Sequence, residues 1–231
     1  MSSRNIIDKD EKMRVCIIGD SNSNAHQIEN NSLWNIKDLY WYPLLKLDLE
    51  ILPIAFVRNN TKRILTMSDF FIKNANSDIF IIQIGVNDIT SDFLNNDKII
   101  NKIYRFQRKT KMGKWLINYL YKSRKNKINS LEFENNLKKI INLIKKHNNV
   151  KKFIFLSIPY GIKEKNEYVI KYNTILNKIS VENNGVFLDY FYDQEKDSSL
   201  IRDEIHYSKK LHDRISEKLI EIISTECDFK K

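Results

Sequence analysis

Three short stretches gather side chains from which chemistry can be built. Gly19-Asp20-Ser21 closes the apolar run Val15–Ile18 and leads into Asn22, Ser23 and Asn24. Ile84-Gly85-Val86-Asn87-Asp88 ends a second apolar run, and in the stretch from Arg202 to Ser208 Asp203 stands three residues before His206. Together they offer a hydroxyl, an amide, a carboxylate and an imidazole. A serine hydroxyl is a poor nucleophile until a neighbouring base removes its proton. An imidazole, which ordinarily titrates near neutrality, can take that proton and pass it to a leaving group. A carboxylate can hold the imidazole in the required tautomer. Each residue also has a plainer use. Ser21 can cap a following helix, or hydrogen-bond a phosphate with Asn22, Ser23 and Asn24. Asn87 can cap the segment after its strand, and His206 can be an ordinary loop histidine. Asp20 and Asp88 are expected to brace their loops by accepting from backbone amides. His26, His147 and His212 have no matching context and are expected at the surface or on helices.

These stretches can share a site only if the elements carrying them bring them to one edge. Five segments read as short buried strands: 14–18, 49–57, 78–84, 151–158 and 185–189. Their apolar runs are mostly continuous, as in a parallel sheet covered on both faces. Helical patterns separate them. The spacing predicts helices over 31–47 (with Trp34, Leu39, Tyr42 and Leu45 on one face), 62–74, 130–147, 165–183 and 209–223. In 130–147 the apolar stripe is Leu131, Phe133, Leu137, Ile140, Ile141 and Ile144. Alternating strands and helices give an α/β fold, a three-layer α/β/α sandwich of flavodoxin-like type with about five parallel strands. Ligands of such sheets sit beyond the C-terminal strand ends. All three stretches lie there or in the loop between the last strand and the last helix. The chain is read as one domain over 1–231, interrupted by a basic insertion at about 98–130.

In order and in the strands they follow, the three stretches resemble the SGNH (GDSL-type) hydrolases. The family's first block stands as Gly19-Asp20-Ser21, its third as Gly85-Val86-Asn87-Asp88 and its fifth as Asp203-Glu204-Ile205-His206. Tyr42–Leu47 is similar to the first helix of many members, and the resemblance runs from about 14 to 224. It implies that Ser21 is the nucleophile, His206 the base and Asp203 the residue that orients it. It also implies an oxyanion hole from the Ser21 backbone, the Asn87 side chain and a second-block backbone N–H. The second block departs from the family, because Phe56–Leu65 has no glycine where the family usually has one. Asn59 or Asn60 is expected to fill the place, since asparagine is the non-glycine residue that most readily takes positive φ. The expected activity is a serine esterase removing a short acyl group, acetyl by preference, from a carbohydrate through an acyl-Ser21 intermediate. One alternative is O-acyl transfer to a sugar hydroxyl at the same site. Another, of a different class, is a non-catalytic flavodoxin-like module that binds a phosphate or a glycan.

The 231 residues carry a formal charge of +10, and its distribution is uneven. Between Lys98 and Leu131 there are 11 lysines and arginines and no acid, so the remainder is near neutral. Tyr104, Phe106, Trp115, Tyr119 and Tyr121 are interleaved with these cations. That pattern suits an anionic glycan or a membrane surface, or else a solvated helical lid. Nucleic acid is disfavoured, because no recognised binding module accompanies the charge. Cys16 and Cys227 give neither a metal-ligand spacing nor a disulfide framework, so no metal or cofactor is expected. The polar N-terminus has no secretory signal, no apolar run approaches the roughly 20 residues that cross a bilayer, and a cytoplasmic setting is expected.

Overall fold

The computed structural model describes residues 12–24, 27–28, 32–33, 35–57, 59–89, 130–159, 166–202 and 205–226. The sheet strands are β1 (Met13–Gly19), β4 (Leu49–Ala55), β5 (Ile79–Gln83), β6 (Lys152–Leu156) and β7 (Val186–Leu188). A two-stranded antiparallel pair, β2 (Gln27–Ile28) and β3 (Ser32–Leu33), stands apart. The five-stranded sheet is parallel throughout and ordered β4-β1-β5-β6-β7. This is the flavodoxin-like order, in which the chain switches direction between β1 and β5.

Successive residues of a strand point to opposite faces, so continuous apolar runs supply two cores at once. Cys16, Ile18, Ile54, Phe80, Ile82, Phe153 and Phe155 face one layer of helices. These are α1 (Thr61–Phe71), α2 (Ser130–His147) and α3 (Asn166–Glu182). Val15, Ile17, Ile79, Ile81, Ile154 and Leu156 face the other layer. It holds α5 (Lys209–Glu226) and the segment carrying Leu39, Tyr40, Trp41 and Leu44. A short α4 (Phe191–Lys196) leads away from β7. Each fully buried aliphatic or aromatic side chain contributes about 1.5–3 kcal/mol, so both faces of the central strands stabilise the sandwich.

The strands and four of the five expected helices lie where the sequence places them, with ends moved by a few residues. The fifth does not. Over 35–47 the chain makes two 3-10 turns, Ile36–Asp38 and Tyr42–Lys46, with extended backbone at Leu39 between them, and Trp34 lies outside the described residues. Pro43, which has no N–H to donate, sits second in the second turn. Leu39, Tyr40, Trp41 and Leu44 are buried and Leu45 is exposed, so the apolar residues pack without helical periodicity. On α2 the stripe holds except at Leu131, which is exposed on the first turn. Of the basic segment expected at 98–130, all but Ser130 lies outside the described residues. Among the described residues, no helix is long and apolar enough to cross a membrane.

Candidate active site

β1 ends in Gly19, and the chain turns at once into a single 3-10 turn, Ser21–Ser23. Gly19 is needed because a β-carbon there would overlap the side chain of Ser23. Ser23 is fully buried, its Oγ 2.7 Å from the Tyr40 hydroxyl and donating to Gln83 Oε1 at 2.9 Å. Trp41 Nε1 donates to the Ser23 carbonyl at 2.8 Å. Asp20 caps the turn by accepting from Asn22 N at 2.9 Å, as expected of a bracing residue. The capping carboxylate is wholly buried, and desolvation lifts its pKa to about 6 against the bonds from Asn22 and Gln83. The turn is thus anchored on three sides, and Ser21 within it is buried, with 8% of its surface exposed.

His206 arrives from the far end of the sequence. Its loop closes on itself: Ile201 bridges Tyr207, Arg202 N donates to the His206 carbonyl at 2.9 Å, and Ser208 N to the Leu200 carbonyl at 2.9 Å. The Tyr207 ring is buried, with its hydroxyl donating to the Ser157 carbonyl at 2.6 Å. This seats half-buried His206 with Nε2 3.0 Å from Ser21 Oγ. Two side chains 185 positions apart in the sequence meet at hydrogen-bond distance. Asp203 and Glu204 lie outside the described residues, as do His26 and Cys227.

β5 is the neighbour of β1, with Gly19 in register with Gln83. Two residues beyond Gln83, Gly85 takes a φ of +123°, which side chains rarely adopt, and a helical turn begins at Val86. Asn87 therefore stands in the turn that follows β5, the strand next to β1. The Asp88 carboxylate accepts from Thr61 N at 3.1 Å and Thr61 Oγ1 at 2.5 Å, tying this turn to the first residue of α1.

The second block differs from expectation. Asn60 caps α1 by accepting from Arg63 N at 2.8 Å and has a φ of −137°. Asn59 also lacks a positive φ. Its N–H donates to the Phe56 carbonyl at 3.1 Å and its Nδ2 to the Gly19 carbonyl at 2.9 Å. The Asn59 side chain therefore braces the end of β1, a use that spacing alone does not reveal.

His147 is exposed at the end of α2, whereas His212, expected in a surface or helical setting, is buried on α5. It stacks on Tyr40 at 5.9 Å, meets Tyr207 edge-on at 5.6 Å, and its Nδ1 accepts from Tyr40 N at 3.3 Å. Desolvation lowers its pKa to about 3, so it is a neutral core residue. Among the described residues, no group of three or more His, Cys, Asp or Glu side chains could hold a metal ion.

No protein-family model matches the sequence, and neither does any curated protein. Solved structures do match. Axe2, an acetylxylan esterase from Geobacillus stearothermophilus, is 16% identical, with 94% of this chain and 95% of that chain covered at a TM-score of 0.64. A lipase/acylhydrolase from Enterococcus faecalis is 13% identical, with 92% and 96% covered at 0.64. The hydrolase LAE5, from the metagenome of Lake Arreo, Spain, is 15% identical, with 90% and 94% covered at 0.63. The chain shares the three-layer α/β/α fold of these three proteins. Within that fold, Ser21, Asn87 and His206 stand at the C-terminal edge of the sheet or in the loop that reaches it.

Proposed function

We propose that this chain is a serine esterase of the SGNH type that hydrolyses short-chain esters. The reading is carried by the 3.0 Å approach of Ser21 Oγ to His206 Nε2. With Nε2 facing the hydroxyl, Nδ1 is the nitrogen for Asp203 to orient, which leaves Nε2 free to accept the serine proton. Ser21 Oγ then attacks the ester carbonyl. As the tetrahedral intermediate collapses, the imidazolium returns its proton to the departing alcohol and leaves acyl-Ser21. Water, deprotonated by the same imidazole, releases the acid and restores the hydroxyl. The Ser21 backbone N–H and the Asn87 side-chain amide donate to the oxyanion. The Asn59–Asn60 backbone is the third candidate. Acetyl is the favoured acyl group and a carbohydrate the favoured carrier, a choice supported by the fold shared with an acetylxylan esterase.

The test needs no natural substrate. A fluorophosphonate probe should label Ser21 in the wild-type protein, and Ser21→Ala should abolish both labelling and hydrolysis of p-nitrophenyl acetate. His206→Ala should lower turnover by about 10⁴-fold or more with the fold intact by circular dichroism. Full activity in either variant would overturn the reading. Acetylated xylo-oligosaccharides, compared with longer p-nitrophenyl esters, test the substrate class.

A further inference from the structure

We infer that Asn22 is a positioning residue that latches the His206 loop to the Ser21 turn; this inference rests on the esterase reading above. Asn22 is 2% exposed, and its side-chain amide is used at both ends. Its Nδ2 donates to the Ile205 carbonyl at 3.0 Å, and its Oδ1 accepts from Tyr207 N at 2.8 Å. These are the backbone groups immediately before and after His206. A primary amide is suited to this because it offers a donor and an acceptor in one plane. Asn22 is also the residue next to Ser21, and its own N–H is held by the Asp20 cap. The latch therefore joins the two short segments whose separation sets the Oγ–Nε2 distance.

The loop does not need Asn22 in order to fold. Its closure rests on the Ile201–Tyr207 bridge, the Arg202–His206 and Ser208–Leu200 backbone bonds and the buried Tyr207 ring. What Asn22 adds is the register between this preformed loop and the nucleophile. A displacement of about 1 Å at a reacting pair can cost on the order of 100-fold in rate, so the effect belongs in kcat rather than in substrate affinity.

The experiment compares the wild type, Asn22→Ala and Asn22→Asp, with active sites counted by fluorophosphonate titration run to completion. Counting sites removes any unfolded fraction from the rate. In Asn22→Ala, kcat for p-nitrophenyl acetate per titrated site should fall about 100-fold, with KM within about twofold. Amide exchange at Tyr207, which loses its acceptor, should quicken. Asn22→Asp keeps an acceptor for Tyr207 N and loses the donor to Ile205, so it should retain Tyr207 protection and show an intermediate rate. An unchanged per-site kcat in Asn22→Ala, with wild-type Ser21 labelling normally, would overturn the positioning role and leave the esterase reading standing. Absence of labelling in the wild type would overturn the esterase reading, and the positioning role with it.

Discussion

At the residue scale, each polar group around Ser21 has a job set by which backbone it reaches. Asp20 and Asp88 point their carboxylates at the N–H groups of Asn22 and Thr61, so they shape turns rather than attack substrate. Asn87 is different, because it is half-buried at the mouth of the turn after β5. Its proposed task is to meet charge that develops only in the transition state. Asn87→Ala should therefore lower kcat by roughly 10²–10³-fold with little change in KM, measured with p-nitrophenyl acetate. A change confined to KM would show that Asn87 binds substrate without favouring the oxyanion. The meeting of Ser21 with His206 was legible in the sequence because both types are chemically loaded and both were expected at the edge where such a fold gathers ligands. Asn22, Asn59 and the buried state of His212 were not. Their partners lie 40 to 185 residues away, and an asparagine carries no mark of which backbone it will hold.

Elements were legible where burial imposes a period. The central strands β1, β5 and β6 were readable because a strand covered on both faces must be apolar without interruption, as Val15–Ile18 and Ile79–Ile82 are. The segment over 36–46 misled for the opposite reason. Its aromatics are pinned by particular polar contacts, Trp41 to the Ser23 carbonyl and Tyr40 to Ser23 Oγ and His212 Nδ1, and these demand no helical repeat. Glycine at strand ends was legible as a turn signal, and Gly85 shows its physical content. Its φ of +123° is strained for any side chain, and a β-carbon would also run into Ile158. Gly85→Ala should cost about 1–3 kcal/mol of stability in urea unfolding and should lower activity by shifting the turn that carries Asn87. A variant that keeps full stability and activity would show that the turn can re-form with ordinary backbone angles.

Across the whole molecule, two buried titratable groups behind the site pull stability in opposite directions with pH. His212, with its pKa near 3 in the fold and near 6.5 when unfolded, stays neutral in the core. The unfolded chain therefore binds the extra proton first, and stability is lost as pH falls from about 6.5 towards 3. Asp20 is the reverse case, with a folded pKa near 6 against an ordinary 3.8. Between these values the folded state binds the extra proton, so the penalty that the buried Asp20 carboxylate places on folding is about 3 kcal/mol at pH 7 and mostly gone at pH 4. Over the window from about 4 to 6 the two slopes are of similar size and opposite sign, and they largely cancel. Asp20→Asn removes one of them while keeping an oxygen to accept from Asn22 N. Relative to wild type, the variant should gain up to about 3 kcal/mol at pH 7 and lose that gain by pH 4. Its own stability should therefore fall more steeply on acidification. Urea unfolding at several pH values between 4 and 7 reads this directly, since only the change in the difference between the two proteins matters and any fixed cost of the new amide cancels. A difference independent of pH would mean that the Asp20 carboxyl titrates as it does in water, and that its burial behind the Ser21 turn does not raise its pKa.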